Sequence, residues 1–552
     1  MSNVNVGGGD TPSRQSSQLF VRRSTGLVRE ASALDATIFN AVFSAPVGAT
    51  LAWGVFFALT AFPGADLVAA TLWSLVLNIP ILIMMSLLAS SMPKTGGDYV
   101  WVSRILSPPA ALVSNLGAAF SAVIGATFWA RYFPVFAVGP VLATLGTIFH
   151  SHGLVTAATH VENDKGWIFA LGMVMIVWMT AILIAGTKAT FRWQNIFWVI
   201  ATLGTILAFV VLLFASKSDF QTHFNSISQH YGAKGNAYGN VITTAKAGNS
   251  HPSAFGSATV PAIFVIMTFM IWNWWSVYLS GELKSASNRN RQMSIMFGAL
   301  GWDVIGLIVG VLLVYKTVGY QFLVGANTVP NAAYVLPSGP FYHFFAGIAV
   351  NNNVLTTIIV ASFLFWSLPA MVGNTFMPIR SVFAWAFDRV LPERLADVNE
   401  RFHSPVPAIL LVMGLVTAML AWSVTATTFQ TLLALGVLAG VVCIAIVSVA
   451  AFVFPRRRPE LYLGSPANMK LFGIPVLQIV APLSFAVAGF LTWETWQYPA
   501  LALSGSTGNR WQIFAFMGGI AVVGLLIYYV ARAVRRSQGV DIDLVYQELP
   551  PD

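Results

Sequence analysis

The sequence is dominated by apolar stretches that are long enough to cross a lipid bilayer. A helix needs about 20 mainly apolar residues to span roughly 30 Å of hydrocarbon. Such stretches recur along almost the whole chain, which predicts about twelve transmembrane helices. Their approximate bounds are 34–60, 66–90, 108–133, 166–186, 194–216, 258–281, 293–316, 353–378, 406–424, 429–454, 474–496 and 511–532.

The composition supports a membrane protein rather than a soluble one. Hydrophobic residues make up 57% of the 552 residues and charged residues 9%, whereas soluble domains carry roughly 25% charged residues. A chain this apolar could not cover its surface in water, but its surface can stay apolar where it faces lipid. The predicted fold class is therefore an all-α integral membrane protein. The single cysteine, Cys443, cannot form an intramolecular disulfide.

The net charge of +9 does not indicate nucleic-acid binding, because the sequence has no basic stripe with interleaved aromatic residues. Basic loops that face anionic membrane lipids explain the charge better. We find no His-Glu-x-x-His or similar ligand cluster within a span. We therefore expect no metal, no cofactor and no catalytic residues, and we do not expect an enzyme. No filter-like repeat indicates a channel.

Most of the 29 Lys and Arg residues lie in loops on one side when the N-terminus is placed inside. Cytoplasmic loops carry an excess of Lys and Arg, so this bias predicts cytoplasmic N- and C-termini in the cell membrane. A miscounted span would exchange the sides of every later loop. The consistent bias therefore supports both the orientation and the number of spans.

The spans divide into five, five and two. A polar insertion separates the first two groups, and a proline and three arginines precede the last two spans. An odd-numbered repeat used twice must be inverted, which is typical of secondary transporters. We expect two shorter apolar pieces, 134–149 and 334–350, to be partly embedded helices on the outer surface. The predicted units are a cytoplasmic tail (1–32), a first five-helix repeat (33–216), an extracellular loop (217–257), a second five-helix repeat (258–455), two peripheral helices (456–532) and a cytoplasmic tail (533–552).

Inverted-repeat transporters bind their substrate where the first helix of each repeat is interrupted. In span 1, Pro46 and Gly48 lie near mid-depth, and proline disrupts a helix by removing a donor and by steric clash. An ordinary proline kink is the alternative interpretation. In span 6 the corresponding stretch is Trp272-Asn273-Trp274, which contains neither Gly nor Pro. Asn273 could contact freed backbone or a ligand, or it could belong to an aromatic packing stripe.

Several loops resemble the amino acid permease family of the amino acid–polyamine–organocation (APC) superfamily. The matching segments occur in the family's order along roughly residues 25–470. They are PKTGGDYV at 93–100, GTKA at 186–189 with QN at 194–195, GELK at 281–284, RSVFAWAFDRVLP at 380–392, SPVPA at 404–408 and RRPELY at 457–462.

This resemblance implies a leucine-transporter-type fold, with a 5+5 inverted repeat and two peripheral helices, and secondary active transport of amino acids. Transport of amines, polyamines or another small polar solute is the alternative on the same scaffold. The chain departs from the family pattern at both breaks, where Gly-Ser/Ala-Gly-Ile-Phe and Gly-Phe/Trp-Glu are usual. Carried over to this sequence, the implied substrate-binding residues are Ser44, Ala45, Pro46, Val47, Gly48, Trp272, Asn273 and Trp274.

Three polar residues within the spans are candidates for coupling transport to an ion. Asp303 lies in span 7, where a carboxyl group could carry a proton, or could be structural. Some members of the family place a Lys in span 5, but the matching residue here is Ala201. A sodium site would instead use hydroxyl groups of Ser362 and Ser367 in span 8, which could equally bond to their own helix.

Charged residues near the inner ends of the spans are candidates for a cytoplasmic gate. Glu282 follows span 6, Lys94 and Asp98 follow span 2, and Asp388 follows span 8. We expect these residues to form an ion network on the inner side rather than to take part in chemistry.

Overall fold

The computed structural model confirms an all-α protein with twelve helical spans. It describes residues 26–44, 46–328, 331–426, 429–498 and 511–547, and it describes the side chains of these residues except those of 429–434. We number the spans 1 to 12 in chain order and call the face at which span 1 begins the inner face. The spans are Ala33–Ala61, Leu67–Ser91, Pro108–Ile148, Lys165–Ile184, Thr187–Phe214, Thr259–Leu279, Arg289–Thr317, Asn353–Phe387, Val406–Thr425, Leu435–Arg457, Val476–Gln497 and Trp511–Ser537.

Span 3 is longer than the sequence suggests, because the apolar piece 134–149 continues it. The helix Pro108–Tyr132 passes through a π-helical segment, Phe133–Val138, into the helix Gly139–Ile148. The prediction of a separate surface helix is therefore wrong. The proline and glycine residues of this piece predict a break in the helix. The structure accommodates Pro134 in a wider π turn inside the membrane helix instead.

The spans differ in how much of their surface lies inside the protein. In span 1, 88% of the most apolar 18-residue stretch is buried inside the protein, whereas in span 12 only 22% of the corresponding stretch is buried. Span 1 is therefore central and span 12 faces lipid. Spans 3 and 10 approach closely, since a Cβ atom at Gly117 would lie 2.5 Å from the carbonyl oxygen of Ala439. Small residues allow such close packing between membrane helices.

The outer insertion 217–257 is folded rather than irregular. It contains the helices Lys217–His230 and Ala237–Thr244. Phe220 and Phe224 are fully buried and contact Phe322 edge to face, with ring centroids 5.8 and 4.9 Å apart. The piece 334–350 contributes a second outer element, the helix Tyr342–Val350. We call this helix the outer lid helix.

Three short elements lie on the inner face. A first-loop helix, Asp98–Ile105, joins spans 2 and 3. A two-stranded antiparallel hairpin formed by residues 470–475 precedes span 11, and no other sheet occurs in the described part of the chain. A 3-10 turn, Ile542–Gln547, follows span 12. Its Tyr546 hydroxyl lies 3.0 Å from the hydroxyl of Tyr99 on the first-loop helix.

Candidate functional site

Span 1 is broken at the predicted position. Its first helix, Ala33–Ser44, ends before Pro46, whose backbone angles (φ −56°, ψ 104°) are not helical. The helix resumes at Val47 and continues as a π-helical segment, Leu51–Val55. Ala45, one of the predicted site residues, lies outside the described residues.

Span 6 is also broken, although it has no glycine or proline at this point. Its α-helix, Thr259–Met270, is followed by turns and then by a 3-10 segment, Trp275–Leu279. A break exposes backbone carbonyl and N–H groups that need partners in hydrocarbon. The Asn273 side-chain amide donates to the carbonyl oxygen of Met270 at 3.2 Å, so this break provides part of its own polar contacts.

The two breaks also bond to each other. The Ser44 hydroxyl donates to the carbonyl oxygen of Phe269 at 2.7 Å. Asn40 forms two bonds with Ser276, accepting from its backbone N–H at 2.7 Å and donating to its hydroxyl at 3.0 Å. Both Asn40 and Ser276 are fully buried. Polar side chains of span 1 therefore replace the helical hydrogen bonds that span 6 loses.

The predicted tryptophans of span 6 pack in an aromatic cluster at the break. The indole N–H of Trp272 donates to the carbonyl oxygen of Thr268 at 2.8 Å. Trp274 contacts Trp275, with ring centroids 5.0 Å apart, and Trp275 stacks on Phe43 at 4.6 Å. This agrees with the aromatic packing interpretation for Trp272 and Trp274.

The predicted residues after the break in span 1 pack tightly against other spans. Val47 contacts Gly306 of span 7. A Cβ atom added at Gly306 would lie 2.8 Å from the methyl carbons of Val47. A Cβ atom at Gly48 would lie 2.2 Å from the indole nitrogen of Trp366 and 2.5 Å from the Tyr342 hydroxyl. Only glycine fits there, because side chains of span 8 and of the outer lid helix contact this turn.

Asp303 is completely buried and lies beside the break in span 6. Its carboxyl group interacts with the Asn273 side chain, but neither carboxyl oxygen has a hydrogen bond of good geometry. Gly306, three residues later and on the same helix face, contacts Val47 of span 1. The structure therefore brings Asp303 next to both breaks.

Ser362 and Ser367 both form hydrogen bonds within span 8. The Ser362 hydroxyl donates to the carbonyl oxygen of Ile359 at 2.6 Å, and that of Ser367 donates to the carbonyl oxygen of Leu364 at 3.0 Å. Both hydroxyls bond to their own helix, which is the alternative raised above. Ala201 is fully buried in span 5.

A small cavity of about 20 Å³ lies on the outer side of the breaks. A space of this size holds roughly one water molecule, so a solute of amino-acid size does not fit in this conformation. Among the predicted site residues that the structure describes, only Ser367 lines it. The described lining residues are Ala49, Trp53, Phe128, Trp129, Tyr132, Phe136, Ala137, Phe269, Phe363, Trp366 and Ser367.

Aromatic residues close the cavity toward the outer face. The Trp53 ring lies 3.8 Å from that of Phe136 and 4.3 Å from that of Phe341, and its indole N–H donates to the carbonyl oxygen of Phe136 at 3.1 Å. The Thr205 hydroxyl lies 3.0 Å from the Tyr342 hydroxyl and accepts from the Trp366 indole at 3.0 Å. These contacts join the outer lid helix to spans 1, 5 and 8.

His343 is the buried titratable residue of the outer lid helix. Its ring stacks on Phe363, with centroids 4.2 Å apart, and neither ring nitrogen has a hydrogen-bond partner. Burial lowers the pKa of His343 from 6.5 to about 3, because desolvation penalises the charged imidazolium. The closed lid therefore contains a neutral histidine.

An ion pair closes the inner side. Arg380 of span 8 binds Glu282 through two nitrogens, at 2.5 and 2.8 Å. The Thr187 hydroxyl, at the start of span 5, donates to the same carboxylate at 2.5 Å. Both charged side chains are buried, with 4% and 1% of their area exposed. The predicted role of Glu282 in an inner ion network agrees with this arrangement.

Asp98 joins the first-loop helix to two other elements of the inner side, spans 3 and 6. Its carboxylate accepts hydrogen bonds of 2.6 Å from Ser114, Asn115 and Tyr278. Burial raises the pKa of Asp98, although these donors act in the opposite direction. Asp388 pairs with buried Arg104 at 3.1 Å. The first-loop helix is thereby joined to spans 3, 6 and 8.

Several residues of this site are not among the candidates from the sequence, and all of them except Asn40 carry no local sequence signal. Asn40, Thr205, Tyr342 and Trp366 belong to it because of contacts with residues far away in the chain. Asn40 alone could have been identified, as a polar residue in the first half of an apolar span. Among the described residues, no group of three or more His, Cys, Asp or Glu side chains is placed to hold a metal ion.

Comparison with known families matches residues 36–528 to the family described as amino acid permease. No curated protein matches the chain. The family match begins in the first helix of span 1 and ends within span 12, so it includes both breaks, the cavity and the two closures.

We predict that Glu282→Gln destabilises the protein strongly. The substitution leaves the Arg380 guanidinium buried without its charge partner, and breaking a buried ion pair costs about 3–5 kcal/mol. Thermal unfolding of the purified protein in detergent measures the effect. Glu460→Gln is the matched control, because Glu460 forms an exposed pair with Arg458. Equal unfolding midpoints for the two variants would contradict the prediction.

We predict that acid opens the outer lid helix through His343. When the lid is open, the His343 imidazole should have its ordinary pKa of 6.5. When the lid is closed, burial lowers the pKa of His343 to about 3. His343 therefore stabilises the closed form fully above pH 6.5, and this contribution is lost as the pH falls toward 3. Lowering the pH from 7.5 to 5 should increase the equilibrium constant for opening of the lid about 30-fold.

Thiol labelling measures this opening, since the native Cys443 is fully buried. Ala137→Cys places a thiol in the cavity. Gly248→Cys places a thiol at a position where no described atom beyond the neighbouring residues lies within 4 Å of an added Cβ atom, and its labelling rate corrects for the pH dependence of thiol reactivity. His343→Phe retains ring stacking without a titratable group and should abolish the pH effect. A pH effect that persists in His343→Phe would assign it to another residue.

Proposed function

We propose that this chain, which belongs to the amino acid permease family, carries an amino acid through the membrane by alternating access coupled to proton movement. Membership of the family supports a multi-pass transporter of amino acids rather than an enzyme. The observation that carries the coupling proposal is a buried carboxyl group, Asp303, beside two mutually bonded helix breaks.

The position of the breaks supports the proposed repeats. Spans 1 and 6, in which the helix is interrupted, are the first spans of residues 33–216 and 258–455. We assign these two ranges to inverted repeats and residues 456–532 to peripheral helices. We also propose, from the charge of the loops, that the inner face is cytoplasmic and that the protein resides in the cell membrane.

We place the substrate carboxylate at the start of the second segment of span 1. The first N–H groups of a helix lack partners within it and carry partial positive charge. Val47 and Gly48 begin this segment, and the Trp366 and Tyr342 side chains, which contact Gly48 in the closed form, must move before a substrate can bind there. Of the residues that the family pattern implies, Ser44, Pro46, Val47 and Gly48 are described and lie at or next to this break.

We place the substrate ammonium group near the carbonyl oxygens that end the first segment of span 6. In this closed conformation, Ser44 and Asn273 donate to the carbonyl oxygens of Phe269 and Met270. An ammonium group provides three donors and would replace these side chains. Trp272 and Trp274 then form the apolar wall beside the substrate. The cavity must widen for binding, which requires movement of the outer lid helix.

A proton is favoured over sodium as the coupling ion. Ser362 and Ser367 donate to carbonyl oxygens of their own helix, and the support for a proton comes from the buried carboxyl group of Asp303. The Asn273 side-chain oxygen has no hydrogen-bond partner, and the Asp303 carboxyl oxygens, which interact with the Asn273 side chain, have no hydrogen bond of good geometry. A proton on Asp303 would add a donor where two buried acceptors lie close together. Protonation of Asp303 would therefore stabilise the break of span 6 in this closed form.

The transport proposal is tested by ligand binding and uptake. We expect at least one amino acid to raise the melting temperature of the purified protein, and the same compound to accumulate in proteoliposomes under an imposed pH gradient. Replacing sodium with choline at constant pH should not reduce this uptake. Stabilisation by amines or polyamines alone would contradict the assignment of an amino acid substrate, and loss of uptake in choline would favour sodium.

We predict that Asp303→Asn removes the proton dependence of uptake. Asparagine preserves the size of the side chain but cannot release a proton, so uptake should no longer respond to the pH gradient. Exchange of internal for external substrate should persist, because it needs no net proton movement. Initial rates measured with and without the gradient test both statements. A variant that retains the pH dependence of the native protein would exclude Asp303 as the coupling group.

A further inference from the structure

We propose that the hairpin formed by residues 470–475, which we call the inner hairpin, is a membrane-surface anchor. Its apolar tip inserts into the inner leaflet, and the basic side chains around it bind the headgroups of anionic phospholipids. This assignment concerns a surface remote from the two breaks and does not depend on the transported solute.

The tip of the inner hairpin exposes large apolar side chains. Phe472 is 94% exposed, the highest fraction of any large hydrophobic residue in the described part of the chain. Leu471 and Ile474 on either side are 48% and 50% exposed. In a short polar loop facing water, such a contiguous apolar tip would be unfavourable.

The turn of this hairpin uses phenylalanine at a position that does not favour it. Phe472 and Gly473 both have positive φ, at 50° and 82°, as in the two-residue turns that prefer Asn-Gly or Asp-Gly. A positive φ is uncommon for a bulky residue. An aromatic ring at this strained position indicates that the exposed side chain itself has a role.

The base of the hairpin is fixed against the membrane helices. The backbone N–H of Val476, the first residue of span 11, donates to the carbonyl oxygen of Met469 at 2.8 Å. Ala467 and Leu477, on either side of the hairpin, are completely buried. The tip therefore projects from a rigid base at the point where span 11 begins, which is where the chain enters the hydrocarbon.

Basic residues are concentrated in the chain segment that contains the hairpin. Residues 456–475 contain Arg456, Arg457, Arg458 and Lys470 but only one acidic residue, Glu460, and Glu460 pairs with Arg458. The Gln478 amide of span 11 donates to the carbonyl oxygen of Phe452 at 3.4 Å. Arg456 lies one turn beyond Phe452 on the same side of span 10, so it lies near the start of span 11 and the hairpin.

The combination of an apolar tip and a basic rim matches one partner, an anionic phospholipid. Basic residues beside a span are attracted to the negative inner leaflet, and phenylalanine and leucine side chains insert at the boundary between headgroups and acyl chains. Deep insertion is excluded, because a hairpin with only two paired residues per strand has backbone groups that hydrocarbon cannot satisfy. The tip should therefore reach the boundary of the acyl chains and stop there.

Spin labelling measures the depth of the tip directly. Leu471→Cys places a label beside Phe472 without replacing it, and the buried Cys443 should leave the native protein unlabelled. In nanodiscs containing phosphatidylglycerol, we expect greater access of this label to oxygen, which dissolves in hydrocarbon, than to a water-soluble nickel chelate. Glu400→Cys, on another inner loop, provides the reference label and should show the reverse order.

Two variants separate the apolar and the charged contributions. Phe472→Asn suits the positive φ and should reduce the oxygen access of the label toward that of the reference. Arg456→Gln with Lys470→Gln should weaken the binding of short-chain phosphatidylglycerol, titrated in detergent and followed by label mobility, about 25-fold, because each basic residue contributes roughly fivefold. Lys165→Gln with Lys234→Gln, the same charge change on the outer face, should leave this binding unchanged.

Three results would overturn the proposal. One is a label that is as accessible to the nickel chelate as the reference in every lipid. Another is binding of phosphatidylcholine and phosphatidylglycerol with equal affinity. Dipolar broadening between labels in nanodiscs that contain two protein copies, and not in those that contain one, would show that a second copy of the chain covers the tip instead.

Discussion

The rest of the structure depends on how two interrupted helices satisfy their backbone groups in hydrocarbon. An unpaired carbonyl or N–H group in the bilayer core costs several kcal/mol, so a break persists only where other groups replace the lost bonds. Span 1 supplies them to span 6 through Ser44 and Asn40. These hydrogen bonds fix spans 1 and 6 relative to each other. They also keep polar backbone groups at the centre of an otherwise apolar protein.

The two closures differ in chemistry, and this difference affects how each can open. The outer closure consists mainly of aromatic contacts around Trp53, which can separate without leaving a charge in hydrocarbon. The inner closure contains the buried pair of Glu282 and Arg380, which can separate only if water or new partners reach both groups. Opening toward the inner face therefore requires hydration of the ends of spans 6 and 8, whereas opening toward the outer face requires movement of the outer lid helix.

The spans, their order and the break in span 1 could be predicted because they depend on local properties, namely apolar length and Pro46. The break in span 6 could be placed only by analogy, since its stabilising partner Asn40 lies 236 residues away. The continuation of span 3 was missed because a π-helical segment accommodates Pro134. Thr205, Tyr342 and Trp366 could not be assigned to the site, because their hydrogen bonds form only when spans 5 and 8 meet the outer lid helix.

The position of Asp303 provides a physical route from proton binding to both breaks. Span 7 contacts the second segment of span 1 through Gly306 and Gly310, which meet Val47 and Leu51, and Asp303 lies on the same helix face. An ionised carboxylate without donors is costly in this environment, so loss of the proton favours any rearrangement that brings water or donors to span 7. Such a rearrangement must separate span 7 from span 1 or from Asn273. In either case it disturbs the contacts on which the closed site depends, so in the proposed mechanism the proton and the substrate act on the same pair of breaks.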